Sequence, residues 1–209
     1  VFVLNKFSLA AVISLALGVL NWVWLASRFK ETLPVDKRAA VDAPKPAIFQ
    51  IGRVSNTAVR KTCLSYLFYM ISFSGMEFTL TFLAVERFSF SPDRLAWMFV
   101  LIGCTLIFVQ GVAVRRLAAP VGERNLALAG IAMGSIAFLI LSQAGVGSDR
   151  ETILEFGNLP LFGLGLFMMS AGVALISPCL TAMTSLFSEE NRQGFHLGVF
   201  RSAGSLARA

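Results

Sequence analysis

Five stretches long enough to cross a bilayer and almost free of charge constrain this chain more than any other feature. Asp, Glu, Lys and Arg are absent from 7–27, 95–114, 125–148 and 156–188, and 62–85 is interrupted only by Glu77. A hydrocarbon core of about 30 Å takes about 20 apolar residues in a helix that rises about 1.5 Å per residue. Gly157, Asn158 and Pro160 delay the start of the fifth span to about Leu161. The spans are therefore expected at 7–27, 62–85, 95–114, 125–145 and 161–184, with a sixth running from Gly194 to the last residue, Ala209. The first residue is Val1 and the last span stops in mid-pattern, so the chain is expected to be a piece of a longer protein. The fold class is an all-α polytopic membrane protein.

Composition agrees. Hydrophobic residues make up 56% and charged residues 14% of the 209, against about 25% charged in a soluble globular domain. Too little polar surface is present to wrap one water-facing core, which excludes a soluble enzyme or a nucleic-acid-binding domain. The net charge of +6 reflects basic residues gathered in particular connections rather than a polyanion-binding face. Cys63, Cys104 and Cys179 each sit in an apolar run, with no CxxC and a single histidine, so neither a disulfide framework nor a metal site is expected.

The basic residues orient the spans. The connection from Arg28 to Lys61 holds eight Lys and Arg, and Arg115, Arg116 and Arg124 mark the next connection on that side. The opposite connections hold only Arg87 and Arg94, and Arg150. By the positive-inside rule the richer connections are cytoplasmic and the chain starts on the other side; which membrane it occupies is not legible. Residues 29–61, with Pro34, Pro44 and Pro46 and both signs of charge, read as a cytoplasmic linker between bundles. A lipid-binding basic patch is the alternative for that segment. Trp22, Trp24 and Trp97 lie near span ends, as in aromatic belts.

A resemblance follows from the order of short motifs. Arg28-Phe29-Lys30-Glu31-Thr32-Leu33-Pro34 closes a span before the long loop, Phe73-Ser74-Gly75-Met76-Glu77 lies in the second span, and Gln110-Gly111 closes the third. Arg115-Arg116-Leu117 with Gly122-Glu123-Arg124, then Ser177-Pro178-Cys179-Leu180-Thr181, Gln193-Gly194, Gly198, Arg201-Ser202 and Leu206-Ala207-Arg208-Ala209 come after. In this order the chain resembles the middle of a major facilitator superfamily transporter, of the tetracycline-efflux-like drug and proton antiporter kind. The resemblance implies two six-helix halves working by alternating access around a midplane site. Residues 1–28 would then be helix six, 29–61 the central linker, and 62–209 most of the C-terminal half. It further implies protons as coupling ion, a small organic substrate such as an organic anion or drug, the bilayer as surroundings, and the absent N-terminal half as partner; no other cofactor and no nucleic acid are implied. The 115–124 loop departs from the family's first-half pattern, since no Asp precedes Arg116 and Pro120 interrupts the basic cluster. Those arginines read either as a charge latch between spans or as a topogenic loop.

Glu77 is the sharpest candidate, because an intramembrane carboxylate is costly unless paired, protonated or hydrated. It lies about 24 Å along the helix from Lys61 and about 13 Å from Glu86, in the half nearer the non-cytoplasmic side. Helical spacing groups it with Cys63, Tyr66, Met70, Ser74 and Thr81 on one stripe, polar enough to line a cavity. Proton exchange is the functional reading, and a hydrogen-bonded packing role the structural one. On the last span Gly194, Gly198, Arg201, Ser205 and Arg208 share a face. There Arg201 could meet an anionic substrate and the glycines admit a neighbouring helix, or the arginines snorkel to the interface. His196 reads as an interfacial histidine, with a proton relay as the alternative, and Gln110 as packing glue. Gly130 and Gly134 form a GxxxG contact, while Gly163, Gly165, Gly172 and Pro178 thin and kink the fifth span. Gly163-x-Gly165 lacks the remainder of a nucleotide-binding fingerprint.

A proton-coupled efflux carrier for amphipathic organic compounds is the leading expectation. A uniporter or nutrient carrier of the same fold, and a non-transporting scaffold or receptor, are the alternatives. Catalysis is not expected: no intramembrane Asp pair, HExxH or Ser/His pair is present.

Overall fold

A computed structural model describes residues 6–29, 51–144 and 159–208. The chain divides into two compact units, Val1–Pro44 and Lys45–Ala209. Most of the 29–61 linker and the segment holding Arg150 lie outside the described residues.

In the first unit α1 runs Lys6–Arg28. Its apolar side chains are exposed over the whole described length, including Leu15, Leu20, Trp22 and Trp24. A helix apolar on every side has no stable place in water and is suited to lipid or to packing against other helices.

In the second unit α2 spans Thr57–Phe88, α3 Pro92–Val121, α4 Glu123–Gln143 and α5 Leu159–Leu186. The shorter α6, Gln193–Leu206, follows one turn of 3₁₀ helix at Glu190–Arg192. With α1, these give five helices long and apolar enough to cross a membrane among the described residues. The cores of all the expected spans lie inside helices, although their ends move. α2 begins five residues earlier than expected because Asn56 caps it, accepting from the N–H groups of Ala58 (2.9 Å) and Val59 (3.4 Å). Its far end closes where Ser89 takes φ 50° and the N–H groups of Ser89 and Phe90 bond back to the carbonyls of Val85 and Ala84. Ser91 then caps α3, with Pro92 pre-set at its first position.

The third span departs most from expectation. Residues 115–124 were expected to form a loop, yet α3 continues through Arg115 and Arg116, past Pro120, to Val121. Gly122 alone breaks the chain direction, with φ 84°, before α4 starts at Glu123. Arg115 and Arg116 thus project from a helix, and Arg124 from the first turn of the next. Within α3, Val109–Val114 forms a π-helix. The wider turn rotates the following residues, so that the packing face passes from Met98, Thr105 and Val109 to Ala113, Val114 and Ala118. A uniform α-helix would have kept Ala113 there but followed it with Arg116 instead of Val114 and Ala118.

Successive helices of the second unit run in alternating directions. Asn56, at the start of α2, donates to the carbonyl of Phe187 just beyond α5 (2.7 Å). At the opposite end the Arg87 guanidinium donates to the carbonyls of Ser142 (3.0 Å) and Ala144 (2.8 Å), satisfying the last turn of α4. Phe88, Phe90 and Phe162 pack together at that same end, with ring centroids 4.7–5.9 Å apart. Two clusters form the core. One gathers Val59, Cys63, Tyr66 and Met70 with Val199, Phe200 and Ala203 of α6 and the later part of α5. The other gathers Leu80, Ala84 and Phe88 with Met98, Leu141, Phe162 and Leu166.

Candidate functional site

The stripe on α2 divides into parts with different surroundings. Tyr66 and Met70 do not line an open cavity. Both are buried, and the Tyr66 ring stacks on Phe200 at 4.1 Å with Gly204 beneath it. Cys63 is buried in the same cluster. Seven residues after Met70 the helical period returns to the same face at Glu77, yet Glu77 is exposed, and Ser74 and Thr81 are half-buried. Burial resumes at Leu80 and Ala84. Glu77 therefore interrupts the buried stripe between the two core clusters, and among the described residues nothing hydrogen-bonds or pairs with it. Phe73, one turn earlier on α2, packs against both clusters.

Gly130, Gly134 and Gly172 stand together at the crossing of α4 and α5. A Cβ on Gly172 would lie 2.8 Å from the carbonyl oxygen of Gly130, and one on Gly130 would lie 2.7 Å from Cγ1 of Ile176. Backbone meets backbone here, so no side chain can relax to make room. Gly165 continues the seam against Leu141 at 2.8 Å. By contrast Gly194 and Gly198 meet nothing within 4 Å, and among the described residues they admit no neighbouring helix. That role belongs to Gly204, on the opposite face of α6, where Tyr66 lies 2.5 Å from a would-be Cβ. Among the described residues the close contact of α6 is at Gly204, because the side facing α2 is chosen by the Tyr66–Phe200 stack rather than by the spacing of Gly194 and Gly198.

Arg201 does lie on the expected exposed face with Gly198, Ser205 and Arg208. What spacing within one helix could not reveal is the cleft it enters. A cleft of about 550 Å³ is lined by Arg201 and Leu197 of α6, Gln110 of the π-helical turn, and Ser177, Pro178 and Thr181 of α5. Thr181 spends its hydroxyl proton on the carbonyl of Ser177 (2.7 Å) and presents its lone pairs. Gln110, read from sequence as packing glue, is exposed and makes no side-chain hydrogen bond among the described residues. It lies on the π turn, for which the sequence offers no signal beyond a Gln-Gly pair inside a helix.

His196 is buried rather than interfacial, with Nδ1 2.9 Å from the hydroxyl of Ser188, which donates to the carbonyl of Thr184. Beside it Gln193 donates to the carbonyl (3.2 Å) and hydroxyl (3.0 Å) of Ser185. These bonds close the turn between α5 and α6 and fix the angle at which α6 leaves. At the opposite end of the unit, a second cavity of about 650 Å³ lies between α3 and α5, walled by Phe88, Phe90, Trp97 and Phe162 with Arg94 at its edge. No group of three or more potential metal ligands occurs among the described residues.

Long apolar helices, a glycine-tight helix crossing and ionisable residues held on open faces define a polytopic helical membrane protein. A profile described as Major Facilitator Superfamily matches residues 6–209, and the chain belongs to that family. Among characterised relatives it is similar to major facilitator superfamily domain-containing protein 10 of Homo sapiens, with 33% identity over 199 residues covering 86% of this chain and 41% of that protein. The Bos taurus counterpart is 34% identical over 215 residues, covering 93% and 44%. The crystal structure of the human organic anion transporter MFSD10 (TETRAN) superimposes with a TM-score of 0.80 at 28% identity, covering 98% of this chain and 50% of that one. The chain thus spans about half the length of the proteins it matches.

Proposed function

We propose that this chain is part of a proton-coupled carrier that moves amphipathic organic anions by alternating access, and that Glu77 is its proton site. The observation carrying this reading is the interruption of the buried α2 stripe at Glu77, with half-buried Ser74 and Thr81 beside it. A carboxylate held on an inward stripe without a partner has no packing role to justify its cost, whereas a proton carrier needs a group that is reachable and close to low dielectric. Family membership supports transport over catalysis, and the human neighbour's description as an organic anion transporter supports the substrate class. The Asn56 end faces the cytoplasm, consistent with Arg60 and Lys61 beside it and Arg115, Arg116 and Arg124 at the α3–α4 junction. In this arrangement the surface carrying Glu77 and the cleft holding Arg201 face the other half of the transporter across the substrate path.

The test is flux of a fluorescent organic anion into vesicles carrying the full-length protein, with an imposed pH gradient, for the wild type and Glu77→Gln. Wild-type flux is expected to follow the gradient. In the variant, gradient-driven accumulation should fall at least about 10-fold while exchange at equal pH persists, because the amide keeps the shape and loses the proton. Equal responses to the gradient in both proteins would remove Glu77 from coupling; flux indifferent to pH in the wild type would make the protein a uniporter.

A further inference from the structure

We propose that the cleft between the π-helical turn of α3, the Pro178 stretch of α5 and the open face of α6 is a subsite for the carboxylate end of the organic anion, with Arg201 as its charged anchor. This inference rests on the organic-anion reading above, and it locates the anionic group at a specific place distant in sequence and in level from Glu77.

The chemistry of the lining carries it. Arg201 offers a planar fork of N–H donors, and among the described residues no carboxylate pairs with it; the ion pair there is Arg192–Glu189, on the 3₁₀ turn. Gln110, on the π turn, brings amide N–H donors from the opposite wall, and such turns occur frequently at functional sites. Ser177 adds a hydroxyl that makes no hydrogen bond of its own among the described residues. Donors therefore converge from three helices on a space of about 550 Å³ that contains no acidic side chain. Pro178 and Leu197 give the same cleft an apolar wall, so it suits a molecule with one charged end and a hydrophobic body. Gly198, one turn before Arg201 on the same face, has open space where a side chain would stand, which keeps the approach to the guanidinium clear.

Equilibrium binding of pyrenebutyrate and of its neutral amide to the purified full-length protein tests the assignment without any pH gradient. Arg201→Ala is expected to weaken pyrenebutyrate binding about 10- to 100-fold, the worth of a charge-assisted hydrogen bond, while the amide changes by less than about 3-fold. Arg201→Lys should recover part of the loss, and Gln110→Leu should cost the carboxylate about 3- to 10-fold. Equal losses for the carboxylate and the amide, or unchanged carboxylate affinity in a folded Arg201→Ala protein, would overturn the subsite. If Arg201→Ala lowers thermal stability sharply, the anchor is instead pairing with an acid in the other half of the transporter, and unchanged pyrenebutyrate binding to Gln110→Leu then overturns the proposal independently. Because binding is read here and coupling in the flux assay, pyrenebutyrate binding that depends on Arg201 in a protein without pH-driven flux would keep the subsite and sink the proton reading.

Discussion

The α4–α5 crossing and the α2–α6 face are both built with glycine, and they do opposite things with it. At the crossing, Gly130 and Gly172 remove side chains so that two backbones touch, with the backbone of Gly134 beside Gly172. On α6, Gly204 admits the Tyr66 ring on the buried face, while Gly194 and Gly198 open onto empty space on the exposed one. The same residue type makes one region rigid and keeps another accessible. In lipid, where apolar surface gives helices no preference for each other over acyl chains, close packing at a few points must carry association. That frees the remaining faces to hold groups such as Glu77 and Arg201 that would be costly in a seam.

The contrast can be broken most severely at the crossing. Gly172→Leu forces four heavy atoms into a space where a Cβ already meets a backbone oxygen at 2.8 Å, and a loss of about 3 kcal/mol or more is expected. Its measure is the thermal unfolding midpoint of the full-length protein in detergent, with a sharp fall in yield; retention of the wild-type midpoint would mean that the two helices separate freely. On α6 the two faces are predicted to answer differently to one methyl group. Gly204→Ala should destabilise by about 1–3 kcal/mol, because the Tyr66 ring is held by Phe200 and has little freedom to yield. Gly198→Ala should leave the midpoint unchanged or raise it by at most about 1 kcal/mol, through helix propensity alone. Similar values for the two would erase the distinction between buried and open faces. A smaller effect is expected between these extremes at Asn56, whose side chain caps α2 and also reaches Phe187. Asn56→Ala should cost about 1–2 kcal/mol, and Asn56→Asp, which keeps the cap acceptor and loses the donor to Phe187, should recover part of it; equal losses would assign the whole effect to that donor.

Much of this was readable in advance, and the reasons differ by residue. The cores of the expected spans are set by runs of apolar residues whose only favourable place is lipid, and Ser91-Pro92 marks a helix start through local chemistry. Arg201 and its neighbours share the expected face because that follows from helix geometry alone. Tyr66 and Met70 were placed on the right stripe but in the wrong surroundings: period fixes direction, whereas whether a face meets a cavity or another helix depends on what packs there. Arg115 and Arg116 looked like loop because they are charged, yet the hydrogen bonds of α3 continue beneath them until Gly122.

Sequence by itself therefore determined the number of long apolar helices and where their cores lie, the sign of the charges at their ends and the faces on which Glu77 and Arg201 stand. Each of these depends on composition and on the 3.6-residue period, which act within one segment. Tertiary structure alone decided that α4 and α5 cross at Gly130 and Gly172, that Tyr66 is filled in by Phe200 and Gly204, and that Gln110 of α3 shares a cleft with Arg201 of α6. Those outcomes depend on atoms distant in sequence competing for the same few ångströms, a competition that no single segment records.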